Sequence, residues 1–85
     1  ATAAELIEAK GWCQGVDLRE DGAICLGRAL GVASGEGWEN MRVGAEALRA
    51  VMREVGQENI IAWNDAPGRI KEEVVTALRN AKRWL

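Results

Sequence analysis

Residues 12–25, Trp12-Cys13-Gln14-Gly15-Val16-Asp17-Leu18-Arg19-Glu20-Asp21-Gly22-Ala23-Ile24-Cys25, decide the fold class. An extended reading puts Trp12, Gln14, Val16 and Leu18 on one face, with Gly15 marking a bulge. Glu20-Asp21-Gly22 is a turn signal, because Gly accepts the left-handed backbone that a tight reversal needs. Ala23-Ile24-Cys25 then returns as a short strand. The stretch predicts a β-hairpin, and a chain that is otherwise helical becomes α+β.

Upstream, Thr2-Ala3-Ala4-Glu5 has the spacing of a capping box, so a helix is predicted over 3–10 with Gly11 as its stop. Downstream, residues 26–33 read as a short helix. Gly27, Gly31 and Gly35 recur there at four-residue spacing, which predicts close approach of a neighbouring element. After the Gly35-Glu36-Gly37 break comes a long amphipathic helix over 39–55, with Met41, Ala45, Leu48 and Met52 as its apolar stripe, which Val51 and Val55 widen. Asn59-Ile60-Ile61-Ala62-Trp63 reads as one further short strand. Asn64-Asp65-Ala66-Pro67-Gly68 is a turn into a last helix over 69–84, with Val74, Val75, Ala77, Leu78 and Ala81 inward. The expected architecture is one domain over 1–85, with four helices, a hairpin and a strand.

Composition narrows the chemistry. The chain has 85 residues, no His, no Phe, no Tyr and four Trp. Without His there is no Ser-His or Cys-His catalysis, and the commonest general base near neutral pH is missing. Cys13 and Cys25 are the only soft metal ligands and form no CxxC pair, so neither a metal nor another cofactor is expected. No GxxxxGK[ST] loop is present. No apolar run approaches the ~20 residues of a membrane span. Two cysteines make no disulfide framework, and both are expected as reduced thiols in a cytoplasmic protein. Ala1 reads as a start exposed by removal of an initiator Met.

Four groups carry candidate functions. Cys13 beside Gln14 has the look of a cysteine hydrolase, but lacks a base to form the thiolate. Asn64 and Asp65 suit either a helix entry or a polar binding turn. Residues 69–85 carry a net charge of +3 against −5 for the remainder. Arg79, Lys82 and Arg83, with Trp84 beside them, are therefore a candidate nucleic-acid surface. Trp84-Leu85 either docks back onto the domain or joins an interface. Among the other tryptophans, Trp63 is expected as a core anchor and Trp12 as mostly buried, while Trp38 precedes the long helix.

The blocks Gly11-Trp12-Cys13-Gln14-Gly15 and Trp63-Asn64-Asp65-Ala66-Pro67-Gly68-Arg69 are unusual as words. With Asp21-Gly22, Cys25-Leu26-Gly27 and Glu72-Glu73-Val74 between and after them, the chain resembles an uncharacterised family of actinobacterial and actinophage proteins. That resemblance implies no enzymatic activity. It also leads one to expect Thr or Ser near position 70 as a helix cap, where Ile70 stands. The excess of Arg over Lys and the Ala content agree with a high-GC source. The functional expectation is a non-enzymatic, phage- or prophage-encoded protein that binds a protein partner, a host protein or a second copy of itself. Trp12, Gln14, Asn64, Asp65 and Trp84 are its candidate contact residues. The nucleic-acid reading and a thiol enzyme at Cys13 are the alternatives.

Overall fold

The computed structural model describes residues 2–33 and 41–85. Trp38 and the Gly35-Glu36-Gly37 break lie outside the described residues, as does the start of the predicted 39–55 helix. The elements are α1 (Ala3–Lys10), α2 (Leu26–Ala33), α3 (Met41–Val55), α4 (Ile60–Asn64), α5 (Lys71–Asn80) and a closing 3-10 turn, Ala81–Trp84.

α1 begins and ends where the sequence predicts. Thr2 Oγ1 accepts the Glu5 N–H at 3.1 Å, and the Glu5 carboxylate accepts the Thr2 N–H at 2.9 Å. Two of the helix's orphan donors are thereby satisfied. Gly11 stops it with φ +94°. A side chain there would be strained, and its Cβ would meet that of Ala23 at 3.4 Å.

The α+β expectation is overturned: among the described residues there is no strand and no sheet, and the chain is mainly helical. Residues 12–25 make only two single-residue bridges. Ile24 pairs in parallel with Trp12 and antiparallel with Leu18. The turn itself forms, with Gly22 N–H donating to Arg19 O and φ +96° at Gly22. Extended pairing stops because 13–17 curls. Gly15 takes φ +81°, and the Cys13 thiol reaches forward to Val16 O at 3.4 Å. Val16 and Leu18 consequently face solvent, 52% and 49% exposed.

The predicted strand over 59–63 is the helix α4. Asn59 caps it, its Oδ1 accepting the Ala62 N–H at 3.0 Å. That bond outweighs the β preference of two isoleucines, because strand propensity rests on packing against a sheet that is absent here. The last helix is shorter than 69–84: α5 opens after Ile70, and its final turn tightens to 3-10. Ile70 supplies no side-chain cap; the Glu73 carboxylate instead accepts the Ile70 N–H at 3.0 Å.

The core joins Ala3, Ala4 and Ile7 of α1, Leu26 and Ala29 of α2, Ala50 and Val51 of α3, and Val74, Val75 and Leu78 of α5. All five residues predicted inward on the last helix are buried. Each fully buried Ile, Leu or Val contributes roughly 1.5–3 kcal/mol. Of the stripe predicted for α3, Val51 is buried and Met52 and Val55 pack at the margin of the core; Ala50, outside the predicted stripe, is buried too, while Leu48 is 37% exposed. Nor do the α2 glycines mark close approach. A Cβ on Gly31 meets nothing within 4 Å, and one on Gly27 meets only the Cys25 sulfur at 3.9 Å.

Candidate functional site

The two distinctive sequence blocks bind each other. Asn64, the last residue of α4, is 1% exposed and is, among the described residues, the buried polar one. Its Oδ1 accepts Trp12 Nε1–H at 2.7 Å and the Leu26 N–H at 3.0 Å. Its Nδ2 donates to Cys13 O at 3.1 Å and to Asp65 Oδ1 at 2.9 Å. A carboxamide offers two donors and two acceptor sites, so every position is used. The tie thus joins the 12–14 loop, the first turn of α2 and the end of α4.

Its neighbours extend it. Gln14 Nε2 donates to Asn64 O at 2.9 Å and to Ala66 O at 3.0 Å, and the Gly15 N–H donates to Asp65 Oδ1 at 3.0 Å. Those bonds, first from the Asn64 amide and then from the Gly15 N–H, hold the Asp65 carboxyl below its ordinary pKa. Bonds to the charged form favour it. Asp65 is therefore a fixed carboxylate rather than a proton carrier near neutral pH.

Cys13 is 2% exposed, and its thiol donates toward Val16 O and Ala23 O, both at 3.4 Å. Burial, followed by the nearby Cys25, pushes its pKa up. A thiol held protonated is a poor nucleophile. Cys25 stands at the N-cap position of α2, where its sulfur accepts the Arg28 N–H at 3.4 Å and its carbonyl accepts the Ala29 N–H at 3.0 Å. Sequence reading left that cap unassigned, because cysteine is not among the usual capping residues.

Trp63 is half-buried against the core, as expected of an anchor, and Arg69 covers it with the guanidinium carbon 3.9 Å from the ring centroid. Arg69 Nε also donates to Trp63 O at 2.9 Å, and its Nη1 pairs with Glu73 at 3.2 Å. One arginine thereby staples the 65–68 turn between α4 and α5. The only hint in the sequence was its place in the same block as Trp63.

The basic C-terminal residues are largely spoken for. Arg79 pairs with Glu8 at 3.0 Å and Arg83 with Glu54 at 3.2 Å. Trp84 docks back onto α3, its Nε1–H donating to Glu54 at 3.0 Å and Arg53 lying 4.1 Å from its ring. It stays 40% exposed. The structure therefore gathers Trp12, Gln14, Asn64 and Asp65 and puts Trp84 with Glu54, apart from them. A cavity of about 480 Å³ opens between α1, α2, α3, α5 and the 3-10 turn, with Ala3, Leu30, Ala50, Val51, Leu78 and Ala81 among its lining residues. No tie residue lines it.

Among the described residues, no cluster of three or more Cys, Asp or Glu side chains is arranged to hold a metal ion, and no helix is long and apolar enough to cross a membrane. Fold and site together define a small helical domain whose irregular 12–25 segment is fastened to the body by one buried asparagine. Residues 1–83 match the family of unknown function DUF6197, and the chain belongs to that family. No curated protein and no solved structure matches it.

Proposed function

We propose that this chain is a non-enzymatic, cytoplasmic protein-interaction domain, encoded by an actinobacterial phage or prophage. It works through the surface that the tie holds in place. The observation that carries this reading is how the polar groups of the two blocks are used. Asn64 and Gln14 are engaged with main chain and neighbours, the Asp65 carboxylate is fixed in its charged form, and the Cys13 thiol is protonated. Such an arrangement supplies rigidity in place of acid–base or nucleophilic chemistry. Exposed apolar side chains stand close to it along the chain. Val16 follows the Gly15 amide held by Asp65, and Ile61, 62% exposed, lies one helical turn before Asp65. Gln14 and Asp65 belong to this surface with them, while Asn64 and Trp12 act from behind it. Arg-over-Lys usage and the Ala content support the proposed source.

The test is photo-crosslinking in an actinobacterial host from a benzophenone side chain placed at Ile61, with Glu72 on α5 as the control position. The expected result is one adduct from Ile61, absent from Glu72 and lost when Val16→Asp is added to a chain that still folds. Equal adducts from both positions, or none from Ile61, overturn the reading. A salt-dependent mobility shift with DNA that is lost on reversing Arg79, Lys82 and Arg83 points instead to the nucleic-acid alternative.

A further inference from the structure

Cys13 and Cys25 are brought side by side by main-chain geometry. The Ile24 N–H donates to Gly11 O at 3.0 Å and the Cys13 N–H donates to Ile24 O at 3.1 Å, which makes the Trp12–Ile24 bridge parallel. Cys13 and Cys25 are the residues that immediately follow this isolated bridge on its two like-directed chains. Chains paired this way run about 4.7–4.9 Å apart. A disulfide needs Cα atoms roughly 4.4–6.8 Å apart. Both side chains are buried, at 2% and 9% exposed, and both are free thiols. Their sulfurs also sense each other: after burial, Cys25 is the next cause of the raised Cys13 pKa. Among the described residues they are the chain's two cysteines, so neither has another intramolecular partner.

We propose that Cys13 and Cys25 form an oxidative modification site, closing to an intramolecular disulfide when the protein meets a peroxide. Cys25 reacts first, because it is the more exposed of the two, at 9% against 2%. Its sulfur attacks hydrogen peroxide, the O–O bond breaks, and Cys25 sulfenic acid and one water form. The Cys13 thiol, too protonated to react with a diffusing reagent, then attacks the sulfenic sulfur held beside it and gives up its proton to the departing hydroxyl. The S–S bond forms, the S–O bond breaks, and the hydroxyl leaves with the Cys13 proton as a second water. Two thiols have lost two electrons in all, and the peroxide has gained them. The disulfide ties the 12–14 loop covalently to the start of α2. It also removes the S–H that donates to Val16 O and Ala23 O, so the oxidised loop is held by a different bond from the reduced one.

The experiment treats the folded full-length chain with a few equivalents of hydrogen peroxide, quenches, denatures and labels with a maleimide. Tryptic cleavage after Lys10, Arg19 and Arg28 puts the two cysteines on separate peptides, 11–19 and 20–28. The expected result is an intact mass lower by two hydrogens, no maleimide uptake, and the two peptides joined until a reductant is added. The thermal midpoint of the oxidised chain is expected to rise. In Cys13→Ser the reaction is expected to halt at Cys25 sulfenic acid, trapped by dimedone. Retention of two maleimide-reactive thiols, separate sulfinic acids, or a disulfide only between chains overturns the proposal. Cys13→Ala serves as a second variant should the serine fail to fold.

Discussion

Replacing Asn64 by alanine tests the central structural claim. The substitution removes four hydrogen bonds at once and leaves the Leu26 N–H and Cys13 C=O without partners in a buried position, together with the half-buried Trp12 Nε1–H. A buried polar group stripped of its partner costs about 1–3 kcal/mol. With two such groups and a third partly relieved by water, Asn64→Ala is expected to lose about 3–5 kcal/mol. A domain of 85 residues has roughly 4–13 kcal/mol in total, so the variant sits at the edge of unfolding. Urea unfolding followed by tryptophan fluorescence measures the loss as a fall in midpoint. Asn64→Asp is the companion variant. It keeps both acceptor bonds, loses the donor to Cys13 O and sets a second carboxylate against Asp65 Oδ1, 2.9 Å away in the native amide pair. It is expected to be least stable where both carboxyls are ionised and to recover in part as acid neutralises one. A loss below about 1 kcal/mol for Asn64→Ala would refute the tie as the device that holds the loop.

Three further outcomes are expected. Ile70→Thr gives α5 the side-chain cap it lacks, beside a Glu73 already accepting the Ile70 N–H, and is expected to raise stability by about 1 kcal/mol in the same urea assay. Gly11→Ala is expected to cost about 1–2 kcal/mol, since it forces a left-handed φ of +94° on a residue with a Cβ and crowds Ala23. The Asp21 carboxyl, held at about 2 chiefly by the Arg19 side chain and then by the Ala23 N–H, is expected to titrate in NMR well below an ordinary aspartate. Because its folded pKa is depressed, its contribution is fully present above the unfolded value of 3.8 and fades as pH falls toward 2; Asp21→Asn removes that part of the acid sensitivity.

How much could be read beforehand followed from how local each signal was. The capping box of α1 closes over three residues and the inward face of α5 over eight, and both were legible to the residue. Residues 59–63 and 12–25 were not, because their conformations are decided by partners elsewhere. Ile60 and Ile61 look like a strand until Asn59 is seen to cap a helix, and no sheet exists to receive them. The hairpin signals at Gly15 and Gly22 were real turns, but the pairing they imply is interrupted by bonds from Asn64 and Asp65, some fifty positions away. Asn64 and Asp65 stand out in the sequence as an uncommon pair. What the sequence could not reveal was that the amide points inward, into the loop that contains Trp12.

The span of the tie bears on the order in which the domain assembles. Three of its four bonds join residues 38 to 52 positions apart, whereas α1 is closed by contacts over three. Bringing distant positions together costs chain entropy that grows with separation and is recovered only when the contact is made. Contacts of this kind slow folding relative to local ones. The 12–25 segment is therefore expected to settle after α1 closes its own cap, and a chain cut short of residue 60 lacks the Asn64 and Asp65 partners that fix this loop.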